Sequence, residues 1–521
     1  MKLPSVPIGY ALPHCLVSTI DPLASAAGFD VLAQGGSAVD AALAANAVLA
    51  VTSPDQCGLG GDLVALIYSG PSARGAATVA GLVAIGRAPS GASSEALRSQ
   101  GHERIPRHSI DAVTIPGAVD GWLQLHQRYG RIRLDQVLAP AIAYAEEGFP
   151  ASPRLVRHLE QLTTSSTHPL VAQLHSSTDR PAILTSPGTA RVLTALAKLG
   201  RDGFYAGEFG AELILLSEGR ITPSDLATLQ SEFVEPVAAG AFGLTLLGTP
   251  PPSASFLVEG ILTALDPRPQ HPWSASWFAE LIDATRTTAW MRGYHYDGAD
   301  ARAVLAGARP ERATRVGRLD GDTTAIVAID RQGMGAVLVQ SNGHAFGTGI
   351  ATPETGIFLH DRGAVGFNLV PGDPNELRPR ARPRHTLAPL VAIDAADRLV
   401  AIAGTMGGDR QVTIMAQLMA AALRDGQNPA NVLAAPRFAF ASDGSGDLAG
   451  FDTWDRDDRS LGIESHAAEE VHTALAARLG PLARLESFAP EHGVAHLALR
   501  RGALWLSAVD PRSEQGAVVG R

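Results

Sequence analysis

Cysteine is nearly absent, with only Cys15 and Cys57 in 521 residues. Two distant thiols exclude a disulfide framework and a cysteine-based metal knuckle. The sixteen histidines include no H-E-x-x-H pair and no acidic-histidine cluster of metal-binding spacing, so neither a metal nor a cofactor is expected. No G-x-S-x-G elbow occurs. Long apolar runs are also missing. The longest, residues 41 to 51, contains Asn46 and falls short of a membrane span. Near the N-terminus Pro4, Pro7 and Pro13 break up what a secretory signal would need as a continuous apolar core. A cytoplasmic protein is expected. A basic excess is lacking too: 42 Lys and Arg stand against 52 Asp and Glu, a net charge of −10. That balance gives no footprint for nucleic acid and none for an anionic membrane surface. No repeat period or low-complexity tract stands out.

What is present is an ordinary globular composition, 45% hydrophobic and 18% charged. The length allows two or three domains, or two interleaved segments of one large layered domain. Leu16 to Ile20 reads as a strand, and Asp21-Pro22 supplies an N-cap and a first-turn proline for the helix that follows. That helix ends at Gly35-Gly36. Ser37 caps a second, Ala-rich helix, apolar on most faces and therefore buried between layers. Residues 110 to 235 read as mainly helical; the helix LDQVLAPAIAYAEEGF is expected to be interrupted at Pro140. After residue 323 the pattern turns to paired strands, AIVAID with GAVLVQS and LAPLVAID with LVAIAGT, then a helix and a terminal hairpin, ALRRGALWLSAV. Strands in pairs with helices before and after predict stacked helix and sheet layers, an α+β fold.

Four stretches could carry chemistry. CGLGGD (57 to 62) has phosphate-loop glycines, but it sits between helix and strand in the wrong order for one, so it reads as a tight turn where backbones approach closely. A nucleotide-binding protein remains a third possibility. AGTMGGD (403 to 409) is a strand-to-helix turn whose Gly407 and Gly408 could present N–H groups to an oxyanion. RPRARPRHTLAP is a solvated charged loop or an anion site. GDTTAIVAID (321 to 330) is either a capped strand or a nucleophilic threonine exposed by chain cleavage.

In combination these stretches closely resemble the γ-glutamyltranspeptidase family. The resemblance begins at DPLASAAGFDVLAQGGSAVDAALAANAVLAVTSPDQCGLGGDLVALIY. It continues in order through GRAPSGAS, TIPGAVDGWLQLHQRYG, LAPAIAYAEEGF, GRITPSDLA, GDTTAIVAID, FGTGI, HTLAP, GTMGGDRQ, AAPRF and DPRSEQGA. It implies an N-terminal-nucleophile hydrolase with an αββα sandwich, made as one precursor that cuts itself between Asp322 and Thr323. Residues 1–322 would be the large subunit and 323–521 the small one, intertwined. The new α-amino group of Thr323, with an ordinary pKa of about 7.7–8.0, would serve as base for its own hydroxyl.

Other roles follow from the same resemblance. The family's second threonine falls on Ser341, the oxyanion glycines on Gly407 and Gly408, and the arginine for the substrate α-carboxylate on Arg87. Where the family has a Ser-Ser pair this chain has His385-Thr386. Its Asn-Gln pair becomes Asp361-Arg362, the asparagine after the second threonine becomes Gly343, and the aspartate for the substrate amine becomes Val365. Arg362 is a candidate second anion contact, unless it pairs with Asp361. These departures point away from ordinary γ-glutamyl recognition. QSNGHAFGTGI, HDRG and HTLAP resemble a bacterial branch that includes oxamate amidohydrolase. The expected partner is a small carboxylate-bearing amide. The alternatives are an ordinary glutathione hydrolase, with a place in glutathione metabolism, and a non-catalytic relative that keeps the fold for binding.

Overall fold

Alternation along one strand sets the layering. In Asp322–Ile329, residues Ala325, Val327 and Ile329 join one apolar cluster, and Ile326 and Ala328 join another. Side chains two apart share a face of a strand. The first cluster lies between two sheets: Val64, Val337 and Val339 of the strand's own sheet meet Val391, Leu399, Ile402 and Ala498 of the other. The computed structural model describes residues 9–71, 77–162, 168–178, 181–314, 321–440 and 461–521. Of the stretches read above, residues 1–8 of the proline-rich N-terminus lie outside these.

Each of the two main sheets has seven strands. One runs in the order Ala517–Gly520, Leu16–Thr19, Asp322–Ile329, Gly335–Gly343, Asp62–Ser69, Thr78–Ala84, Glu232–Val234. The other runs Gly9–Leu12, Leu504–Ala508, Ala495–Arg501, Leu399–Thr405, Leu390–Ile393, Leu244–Gly248, Val237–Ala241. Sequence on both sides of residue 322 therefore contributes to both sheets. The outer face of the first sheet packs with helices Pro22–Ala33, Ala38–Thr52, Ala118–Tyr129 and Leu134–Glu147. The outer face of the second packs with Ser255–Thr263, Ala275–Thr288 and Gln411–Met419. This is the expected αββα sandwich.

The helix starts are where their caps place them. Asp21 accepts from the Leu23 N–H at 2.8 Å, and Ser37 and Asp40 form a reciprocal capping box. Every residue of Ala38–Thr52 is buried. Two expectations differ. Pro140 does not interrupt its helix, which runs through it from Leu134 to Glu147. One missing N–H is tolerated because the helix is held by packing on Ala38–Thr52 and Pro187–Leu199. The arginine run is solvated only in its first half: Arg378 and Arg380 are exposed, whereas Arg382 and Arg384 are buried, and Arg382 binds the Ile85 carbonyl at 3.0 Å and the Glu232 carboxylate. CGLGGD is the close-approach turn: a Cβ on Gly60 would lie 2.2 Å from the Phe358 carbonyl oxygen.

Candidate active site

The pairing of Asp322–Ile329 with Gly335–Gly343 slips at one place. Asp322 faces Gly343 and Thr324 faces Gln340, so Thr323 alone stands opposite Ser341 and Asn342. Such bulges re-aim side chains, and they concentrate beside active sites. Thr323 is fully buried. Ser341 Oγ donates to the Asp322 carbonyl oxygen at 2.5 Å and accepts from the Gly343 N–H at 2.9 Å. The carbonyl that precedes Thr323 is thus already polarised by a fixed donor.

Behind Ser341 lies a buried charged group. Arg362 Nη2 donates to Ser341 Oγ at 3.3 Å, and its Nε lies 3.8 Å from Asp62 Oδ2. Asp62 also faces His360 Nδ1 at 3.2 Å and His385 Nε2 at 3.7 Å, and accepts from the Gly86 N–H at 2.9 Å. Burial destabilises the charge of Arg362 and lowers its pKa, against the opposing pull of Asp62, Asp361 and Asp409. A guanidinium still remains protonated. Burial, then the nearby Arg362, holds His385 well below the ordinary histidine range, so its ring is neutral.

Asp361 pairs with other groups than Arg362. It accepts from the His344 N–H at 3.1 Å and from His344 Nδ1 at 2.6 Å, and lies 3.1 Å from Arg107 Nε. Burial would raise its pKa, but His344, Arg107 and Arg362 together lower it. Gly343 has φ 89°, and a Cβ there would meet Asp361 Oδ1 at 1.8 Å. The glycine at 343 and the aspartate at 361 are therefore one coupled change, because the carboxylate fills the space a side chain at 343 would need.

On the other sheet Leu399–Thr405 crosses the same strand, with Gly404 packed on Ala325, and delivers Gly407 and Gly408. The φ of 128° at Gly407 suits glycine alone, and the φ of 55° at Gly408 lies in the left-handed region that favours glycine. The next helix begins at Gln411, whose amide lies 3.5 Å from Thr323 Oγ1. When its nitrogen donates to the carbonyls of Thr405 and Thr386, at 3.1 and 3.3 Å, its oxygen faces the threonine hydroxyl. Thr386 enters the site through that carbonyl. Arg87 is turned elsewhere: its bonds go to the Arg380 carbonyl at 3.3 Å and toward Asp297 at 3.7 Å.

Sequence reasoning missed Asp62, Arg154 and Gln411. Arg154 binds the Asp322 carboxylate and lies 3.4 Å from Asp55. Its signal is a cation in the first turn of the helix Pro153–Gln161, against the helix dipole. Gln411 has a signal only as the start of the helix that follows the glycine turn. Among the described residues no group of three or more His, Cys, Asp or Glu side chains is placed to hold a metal, and no helix is long and apolar enough to cross a membrane.

Comparison with known proteins agrees with this arrangement. The gamma-glutamyltranspeptidase family profile matches residues 24–520. The chain is 29% identical to the glutathione hydrolase-like YwrD proenzyme of Bacillus subtilis, over 86% of this chain and 87% of that one. It is also 29% identical to the oxamate amidohydrolase proenzyme of Klebsiella pneumoniae, over 96% and 97%. The crystal structure of cephalosporin acylase from Bacillus halodurans superposes with a TM-score of 0.86 at 25% identity, covering 100% of this chain and 98% of that one. The αββα sandwich, the glycine turn beside Thr323 and the match from residue 24 to residue 520 place the chain in the gamma-glutamyltranspeptidase family, among its N-terminal-nucleophile amidohydrolases and acyltransferases.

Proposed function

We propose that this chain is a precursor that cuts itself between Asp322 and Thr323, and that Thr323 is then the nucleophile for a small carboxylate-bearing amide. The observation that carries the reading is the 2.5 Å hydrogen bond from Ser341 to the carbonyl of Asp322. In the cut, Thr323 Oγ1 bonds to that carbonyl carbon and the oxygen takes negative charge facing the Ser341 hydroxyl. The C–N bond then breaks, and the threonine nitrogen takes up the proton lost by the hydroxyl. Water hydrolyses the ester, releasing the Asp322 carboxylate and a free Thr323 with amine and hydroxyl. Residues 1–322 and 323–521 stay together because both sheets are built from both.

In the processed enzyme the amine of Thr323 takes the proton from its own hydroxyl, and Gln411 orients that hydroxyl. The acyl group passes to Thr323 Oγ1 while Gly407 and Gly408 face the oxyanion. Water or an amine removes the acyl group. Arg362, buried behind Ser341, supports the first oxyanion by polarising that hydroxyl and does not itself contact substrate. Asp361, already held by His344 and Arg107, and the oxamate amidohydrolase relative favour an amide with a carboxylate and no ammonium. Ser341→Ala removes the donor to the first oxyanion. Loss of one such donor slows a reaction about 10²–10³-fold. A time course on a denaturing gel should show processing slowed to that extent; processing at the wild-type rate would remove Ser341 from the mechanism.

A further inference from the structure

Before the cut, the acyl group on the scissile bond is that of Asp322, whose side chain ends in a carboxylate. That carboxylate accepts from Arg154 Nη2. Arg154 Nε faces Asp55 Oδ2 at 3.4 Å, and His158 Nδ1 meets the same oxygen at 2.8 Å, so the guanidinium is fixed from behind. Burial would lower the Arg154 pKa, but Asp322 and Asp55 outweigh it and the charge is held. Nη1 touches Met406 Sδ at 3.9 Å, directly before the glycine turn. Arg154 also lines a small pocket of about 30 Å³ with Ser53, Gln56, Ser152, Met406 and Ser513. A mostly buried arginine therefore stands beside the candidate oxyanion turn, opens on a pocket, and binds a carboxylate that belongs to the bond being cut.

The geometry points to Arg154 as the carboxylate anchor of the processed enzyme, a site occupied before the cut by the side chain of Asp322. When the end at Asp322 withdraws, Arg154 keeps Asp55 but loses its second anion, and a bound carboxylate restores it. The spacing names the ligand class. In Asp322 two carbons, Cα and Cβ, separate the carboxylate carbon from the scissile carbonyl, the spacing of a succinyl group. The site takes monoamides of short dicarboxylic acids, with succinamate as the direct mimic. This deepens the proposed function and rests on it for the step of turnover, though not for binding.

Binding can be read without any cleavage. Thr323→Ala keeps the chain whole and Asp322 on Arg154; Thr323→Ala with Asp322→Ala frees the guanidinium. Calorimetric titration with succinate should give at least about tenfold tighter binding to the double variant, the range of a charge-assisted pair. Adding Arg154→Gln should abolish the difference. Equal affinity with and without Asp322, or a gain that survives Arg154→Gln, would overturn the site. In processed wild-type enzyme, kcat/KM for succinamate should exceed that for the neutral succinamide by about tenfold or more. Equal rates on the two would overturn the anchor while leaving the amidohydrolase reading intact. Tight Arg154-dependent succinate binding with no amide turnover would support the anchor and sink the proposed catalysis.

Discussion

Thr323→Ala is expected to remain one chain of 521 residues, with no turnover of any amide. In the proposed mechanism the substitution removes the atom that attacks the Asp322 carbonyl and, later, the substrate. The fold should persist, because Thr323 packs as one small side chain at the mouth of a sheet whose register is set further along, from Thr324 to Ile329. The measured drop should reach the background rate, since every later step passes through the acyl ester. Thr323→Ser keeps the hydroxyl and should still process, more slowly. A denaturing gel and an amide-hydrolysis assay suffice. Appearance of the two chains from Thr323→Ala would mean that an outside protease makes the cut.

The donor panel carries the second large effect. A γ-glutamyl donor brings an α-ammonium as well as a carboxylate. Asp361, the one acidic group at the aligned substrate-loop position, is tied to His344 and Arg107. Position 365 is a core valine and position 343 a glycine. The nearest cations, Arg154 and Arg362, stand on either side of Asp322. An ammonium about 5 Å from one such charge loses roughly 3 kcal/mol at an effective dielectric near 20. Oxamate, succinamate or a glutaryl amide escapes that cost. Each should show kcat/KM at least about tenfold above glutathione or a γ-glutamyl anilide. A higher value for glutathione than for every des-amino donor would restore the ordinary glutathione hydrolase reading.

The fold was legible because its signals are local. Asp21-Pro22 and Ser37 mark helix starts whatever the tertiary context, and the continuous apolar, β-branched run in AIVAID marks a strand buried on both faces. Pro140 was misread, and the arginine run left open between two readings, for the opposite reason. Whether a proline is tolerated, or an arginine solvated, depends on what packs against it from distant sequence. The site was legible in the same uneven way. Thr323, Ser341 and the glycine turn fall within the family's motifs, and the first two stand opposite each other at the bulge. Asp361 and Arg362 are adjacent in sequence yet face different partners, so the pairing considered between them gives way to His344–Asp361 and Arg362–Asp62. Arg154 lies 168 residues before the carboxylate it binds, and no local pattern ties the two together.

The most direct test of the account is the intact mass of the purified wild-type protein after incubation in buffer alone. Two species should appear, residues 1–322 and residues 323–521, their masses adding to the precursor plus one water, with the smaller chain beginning at Thr323. A single full-length mass, or a cut at any other bond, would contradict it.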